Sequence, residues 1–193
     1  VLSAALLCGA ALAADAPVSL AGDWVFNAEA SDVTDEQVER AIKRGGGRIS
    51  RSFGKAETSP EGIPIKYKGG PEDQALYDHL AYDPGFSIEQ DGAEFRLSYP
   101  EGFERRFSTD RRSRTITASG SARSDFSFAY WEGATLVVES RPLDGGRLSE
   151  RYSLIPETGQ LRVEMSMEPL KFRAPIDLVR VFDRAGTAAP ASP

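Results

Sequence analysis

Residues that could do acid–base or nucleophilic chemistry are few in this chain. Its 193 residues hold one histidine and one cysteine, His79 and Cys8. A Ser-His-Asp site can be assembled from distant positions. No Gly-x-Ser-x-Gly elbow presents a serine, however, and a helix-surface histidine is the simpler reading of His79. Carboxylates remain. Asp125, Glu139 and Glu150 fall in runs that read as strands, and a pair of carboxyls in an interior that separates their pKa values can divide acid and base roles. Glu150 stands out because alternation sets it on one face with Leu148, Tyr152 and Leu154. A charge at the rim of a sheet, or a bulge that turns it outward, accounts for the same pattern.

Other chemistries lack their residues. Glu57/Glu61 and Asp32/Asp35/Glu36 do not have calcium-loop spacing with its central glycine. Gly45-Gly46-Gly47 is not followed by the lysine-serine pair of a phosphate loop. No catalytic residue, metal site or cofactor is therefore expected. One cluster of charge is conspicuous: Arg105, Arg106, Arg111, Arg112 and Arg114 bracket a single hairpin tip. Arginine forks suit phosphate or carboxylate, so the tip could meet an anionic lipid headgroup, or it could be a solvated hairpin. Arg105 shares a face with Phe103 and Phe107; if that face is interior, Arg105 is a candidate anchor for an anionic ligand head.

The elements that must position these residues follow a regular beat. From Phe86 to Asp183 the chain reverses about every ten residues, at Asp91-Gly92, Pro100-Glu101-Gly102, Glu132-Gly133, Asp144-Gly145-Gly146 and Thr158-Gly159. The runs between them predict strands over 86–90, 94–99, 103–109, 114–119, 125–131, 135–141, 147–155, 160–168 and 176–183. With 22–26 this makes about ten strands, an all-β antiparallel up-and-down meander of the kind that closes into a barrel. Two short helices precede the meander. Thr34 with Gln37 reads as a capping box ahead of the stripe Val38, Ala41 and Ile42, and the three glycines stop that helix. Pro71 opens the second, with Leu76, Leu80 and Tyr77 on its face and Pro84-Gly85 closing it. Residues 48–70 read as loop with one short strand at most.

Alternation assigns the faces. Phe95, Leu97 and Tyr99 share one, as do Phe126, Phe128 and Tyr130, and Leu161, Val163, Met165 and Met167. The first two sets, with Arg105, are the candidate ligand-binding residues. A barrel of this size holds side chains plus one small ligand, so either a packed core or a lined cavity fits.

The remainder of the chain bounds the setting. Residues 1–13 read as a signal peptide ending in the small-x-small run Ala11-Leu12-Ala13, with the basic n-region missing. About 180 residues remain once the leader is removed, of which 14–184 form one domain and 185–193 a disordered Ala/Pro/Ser tail. After cleavage no cysteine remains, so stability rests on packing rather than disulfides. The net charge of −6 argues against nucleic acid as a partner, and no second apolar run is long enough to cross a membrane as a helix.

Gly22-Asp23-Trp24 at the start of the first strand resembles the Gly-x-Trp motif of lipocalins and the wider calycin group. That resemblance implies an arginine of the last strand packed over Trp24 at the closed end, and Arg180 in Leu178-Val179-Arg180-Val181-Phe182 is the matching position. Trp24 and Arg180 are then structural. The order strand, two helices, meander also looks like the fatty-acid-binding branch, in which Arg-x-Tyr on the last strand holds a ligand carboxylate. Arg180-Val181-Phe182 keeps the arginine and not the hydroxyl. The structural reading of Arg180 is preferred, because 48–70 is longer than the fatty-acid-binding pattern allows. Residues 131–139 and 180–184 also resemble a set of uncharacterised secreted bacterial proteins. Together these readings imply a secreted or periplasmic barrel that binds a small apolar or amphipathic ligand without catalysis. A filled structural or protein-interaction barrel of the cell envelope, and a carboxylate-based barrel enzyme, are the alternatives.

Overall fold

Along Leu161–Glu168 the odd-numbered Leu161, Val163, Met165 and Met167 are buried while Arg162, Glu164, Ser166 and Glu168 are not. The same two-residue period runs through Glu94–Ser98 and Arg147–Leu154. A sheet with one apolar face must bury it, and this one does so by curling on itself. The computed structural model describes residues 18–47, 57–58, 64–65, 84–100, 102, 104–110, 114–116, 124–141, 146–168 and 173–186; of these, 57–58, 64–65, 114–116 and 124–126 are described by backbone only.

In chain order the elements are β1 (Gly22–Asn27), α1 (Thr34–Arg44), β2 (Glu57–Thr58), β3 (Pro64–Ile65), β4 (Gly85–Asp91), β5 (Glu94–Ser98), β6 (Glu104–Ser108), β7 (Arg114–Ile116), β8 (Ser124–Glu132), β9 (Thr135–Arg141), β10 (Arg147–Leu154), β11 (Leu161–Glu168) and β12 (Ile176–Arg184). Ten of the strands form one antiparallel sheet in the order β6-β5-β4-β1-β12-β11-β10-β9-β8-β7. The first strand is thus zipped between the last one and β4, Trp24 facing Arg184 on one side and Phe86 on the other. The end strands β6 and β7 approach one another, so the meander is a nearly closed antiparallel barrel.

The ten expected strands are all present. Strands β2 and β3 pair with each other, Glu57 facing Ile65, where one short strand at most was expected. The helix expected from Pro71 lies outside the described residues, as do His79, the leader 1–13 and the tail beyond Gly186.

Helix α1 differs from its expected start. Thr34 is its first residue, Val33 takes the N-cap position, and no side chain caps the helix. The reason is tertiary: the neighbouring polar groups are drawn to β12. The Asp32 carboxylate accepts from the Val179 N–H at 2.8 Å. The Ser31 hydroxyl accepts from the Val181 N–H at 2.9 Å, and Arg180 donates to the Thr34 hydroxyl at 3.4 Å. Asp35 and Glu36 in the first turn and Lys43 and Arg44 in the last oppose the helix dipole favourably. Gly46, with φ of 77°, makes the left-handed exit. Val38 and Ala41 reach the common core, and Arg44 ties the helix end to the Pro175 carbonyl at 2.7 Å. The helix therefore sits at the end of the barrel where β12 begins.

Trp24 closes the other end. Its ring is buried, its indole N–H donates to the Leu20 carbonyl at 3.1 Å, and an arginine guanidinium lies 4.6 Å from the ring centroid. That arginine is Arg184. Arg180, the residue expected there, is four residues back along β12, about 13 Å at strand spacing. The register sets this outcome, since Trp24 pairs with Arg184 while Arg180 pairs with Val163. Gly22 is required beside it. Its φ is 145°, and a Cβ there would stand 2.5 Å from the Arg184 Nη1 that crosses above it.

Candidate functional site

The inner faces of the strands define one lumen, and its polar members make the candidate site. Phe95, Leu97, Phe107, Ala129, Leu136, Val138, Leu148, Val163 and Met165 are buried around it. Phe95 stacks on Phe107 with ring centroids 5.6 Å apart and meets Trp131 at 6.0 Å. Into this wall project Arg105 from β6 and Glu150 and Tyr152 from β10.

Arg105 and Glu150 form a forked ion pair. The Arg105 Nη1 donates to Glu150 Oε1 at 2.9 Å, and Nη2 contacts Oε2. Both side chains are 4% exposed. The Tyr152 hydroxyl donates to Glu150 Oε1 at 2.8 Å and lies 3.5 Å from Arg105 Nη1. Strands β6 and β10 are not neighbours in the sheet, so this contact is made across the lumen and not along its wall.

Position explains the electrostatics. Burial works against the Arg105 charge, but the Glu150 carboxylate, helped by Tyr99 and Tyr152, outweighs it and holds the guanidinium pKa well above its ordinary value. Burial pushes the Tyr152 phenol well above its ordinary value, and the adjacent Glu150 charge pushes it further. The phenol is therefore buried in its neutral form. The unfolded chain ionises at this residue as the pH passes about 10, while the folded chain does not. The stabilising linkage is in place below that pH and is lost as the pH rises beyond it. Urea midpoints measured from pH 7 to 10.5 are expected to fall more steeply for the wild type than for Tyr152→Phe; parallel slopes would contradict the assignment.

The expected site residues divide into three groups. Arg105, Phe95 and Leu97 are buried on the lumen side, and Tyr99 is half-buried against the same core. Phe128 and Tyr130 are corrections. They lie half-buried on the outer face, where Phe128 pairs in register with exposed Glu139 and the Tyr130 hydroxyl bonds its carboxylate at 3.2 Å. Ser127 and Ala129 face inward instead. They share cross-strand rows with Ser140 and Leu148, and with Val138 and Glu150. Small side chains at that level leave volume for the Arg105–Glu150 bridge. The side chain of Phe126 lies outside the described residues. Arg180, the third case, is buried on the lumen side of β12, its guanidinium 5.9 Å from the Phe26 ring centroid.

The arginine cluster at the hairpin is likewise split. Arg105 turns inward, and exposed Arg106 pairs with Glu104 at 2.8 Å. Arg111, Arg112 and the side chain of Arg114 lie outside the described residues. Glu150, readable as a rim charge, is interior, and the group that grips it is a guanidinium. Sequence reasoning set Tyr152 on its face without giving it a role, and did not single out Ser127 and Ser140, whose hydroxyls meet at 3.1 Å.

Outside the lumen, an open groove of about 350 Å³ runs between α1 and strands β10, β11 and β12, lined by Asp32, Gln37, Ser149, Arg151, Glu164, Ser166 and Asp177 among others. Its charges are engaged: Arg151 with Glu132 at 2.7 Å, and Asp177 with Arg44 at 3.4 Å. None of the expected site residues lines it. No described helix is long and apolar enough to cross a membrane.

No family model matches this chain, and no curated protein matches it by sequence. Several solved structures are similar in shape. Human cRBP IV is 14% identical with a TM-score of 0.48, over 88% of this chain and 100% of its own. Apo lipid binding protein 8 of Caenorhabditis elegans is 13% identical with a TM-score of 0.47, over 86% of this chain and 98% of its own. A luciferase domain from the dinoflagellate Lingulodinium polyedrum is 11% identical with a TM-score of 0.47, over 86% of this chain and 42% of its own. At these identities and scores the likenesses bear on neither ligand nor activity.

Proposed function

We propose that this barrel binds a small apolar or amphipathic molecule in its lumen, without catalysis, in the bacterial periplasm or outside the cell. The observation that carries the reading is the Arg105–Glu150–Tyr152 cluster inside a mainly apolar lumen. A buried ion pair is a poor stabiliser: well-packed apolar residues of similar volume serve as well or better. Polar groups at the centre of an apolar cavity are, in contrast, what orients a small ligand. Burying about ten methylenes at ~0.8 kcal/mol each gives roughly 8 kcal/mol, near micromolar before entropic costs. The small-residue run Ala11-Leu12-Ala13 after an apolar stretch supports export.

The cross-lumen bridge also favours a second reading, a structural barrel whose interior is filled by Arg105, Glu150 and the Phe95–Phe107–Trp131 cluster. Titration with the neutral dye Nile red separates the two. Saturable one-to-one binding with a blue-shifted emission is expected. Ala129→Trp, which places a large side chain in the lumen beside the Glu150 row, should weaken it at least tenfold while the circular dichroism keeps its strand signature. No saturable binding, or equal binding by the variant, favours the filled barrel.

A further inference from the structure

We infer that the ligand seated on the Arg105–Glu150–Tyr152 cluster has an uncharged, hydrogen-bonding head, such as an alcohol or a carbonyl compound, and is not a carboxylate or phosphate anion. The inference rests on the lumenal binding proposed above and names the class of ligand that site would take.

Charge is the first reason. Arg105 spends both terminal nitrogens on the two oxygens of Glu150, at 4% exposure of each side chain. The formal charges cancel where no water screens them. An anionic head would have to displace Glu150 from the Arg105 guanidinium beside Phe95, Leu97 and Phe107, which is the costly breaking of a buried pair. A cationic head meets the same obstacle at Arg105. A neutral head disturbs neither partner.

Donor capacity is the second. A guanidinium carries five N–H groups. Those of Nη1 face Glu150 and Tyr152, and one of Nη2 faces Glu150. Among the described residues, the Nε–H and the second Nη2 N–H donate to no group. A buried unpaired donor is unfavourable, and a hydroxyl or carbonyl oxygen relieves it without adding charge. The Tyr152 oxygen, which donates to Glu150, keeps a lone pair for a ligand hydroxyl. Arg180 is the competing anchor. It lies in the same cross-strand row as Tyr152, through Val163, so an anionic ligand would report itself by depending on Arg180.

The test is displacement of Nile red by dodecanol and by dodecanoate at pH 8. Wild type is expected to take dodecanol at least tenfold more tightly. Because the carboxylate is intrinsically the more hydrophilic head, the decisive quantity is the change on Glu150→Gln, which frees the Arg105 charge and should move the ratio at least tenfold toward dodecanoate. The double variant Arg105→Met/Glu150→Leu, which leaves no buried charge unpaired at the site, guards against misfolding of the single one. It should lose at least fivefold of the preference for dodecanol over dodecane. A wild type that prefers dodecanoate, a ratio unmoved by Glu150→Gln, a double variant that keeps its preference for the alcohol, or an anion affinity abolished by Arg180→Met would each overturn the inference while leaving lumenal binding intact. Failure of Nile red and every competitor to bind would remove both.

Discussion

Truncating Glu150 to alanine is expected to destabilise the fold by about 3–5 kcal/mol, since it strands the Arg105 guanidinium in an apolar interior. Tyr152 loses its acceptor in the same step. Urea denaturation monitored by tryptophan fluorescence gives the number directly. The informative comparison is with Arg105→Met/Glu150→Leu. Removing both leaves neither charge of the pair stranded, and although the Tyr152 hydroxyl still loses its acceptor, the double variant should be more stable than Glu150→Ala by about 3 kcal/mol or more. A double variant as unstable as Glu150→Ala would mean that the bridge itself holds the barrel together, and the filled-barrel reading would gain. A stable double variant that no longer distinguishes ligand heads is the outcome lumenal recognition requires.

Trp24→Ala is the second large effect. It removes a fully buried ring from the closed end, worth about 3–5 kcal/mol for an aromatic truncation. The variant also loses the Arg184 cation–π contact, about 0.5–2 kcal/mol, and the hydrogen bond to the Leu20 carbonyl. Because β1 joins β12 to β4, loosening it opens the sheet at its seam. Trp24→Phe keeps a ring under Arg184 and is expected to cost less than half as much. Equal losses for the two variants would show that the indole hydrogen bond, and not ring burial, closes the barrel.

Much of this architecture is legible in the sequence because the causes are local. Turn residues such as Asp91-Gly92 and Glu132-Gly133 sit where β4 meets β5 and β8 meets β9, and period-two alternation assigns the faces of β5 and β11 correctly. Alternation fails on β8 for a physical reason. Both of its faces carry residues that can be buried, Phe126, Phe128 and Tyr130 against Ser127, Ala129 and Trp131. Size alone favours the aromatic set. The choice is made by what the opposite wall places in the lumen, which no local pattern records.

The arginine over Trp24 is a register question. Arg180 and Arg184 lie on the same side of β12, and only the pairing of β1 with β12 tells which reaches the tryptophan. The Arg105–Glu150 bridge is harder still. Its partners are 45 residues apart and on strands that never pair. Each could be placed on an apolar face from its neighbours, but their meeting is a property of closure. The capping box at Thr34 is the converse case, a local signal overruled when β12 recruits Ser31, Asp32 and Thr34.

The most direct test of lumenal binding is native mass spectrometry of the chain purified from a bacterial periplasm, repeated after organic extraction. An additional mass of a few hundred daltons, removed by extraction and restored by adding back the extract, is the predicted result. A clean apo mass before extraction, unchanged across a panel of lipids, long-chain alcohols and carbonyl compounds, would contradict it.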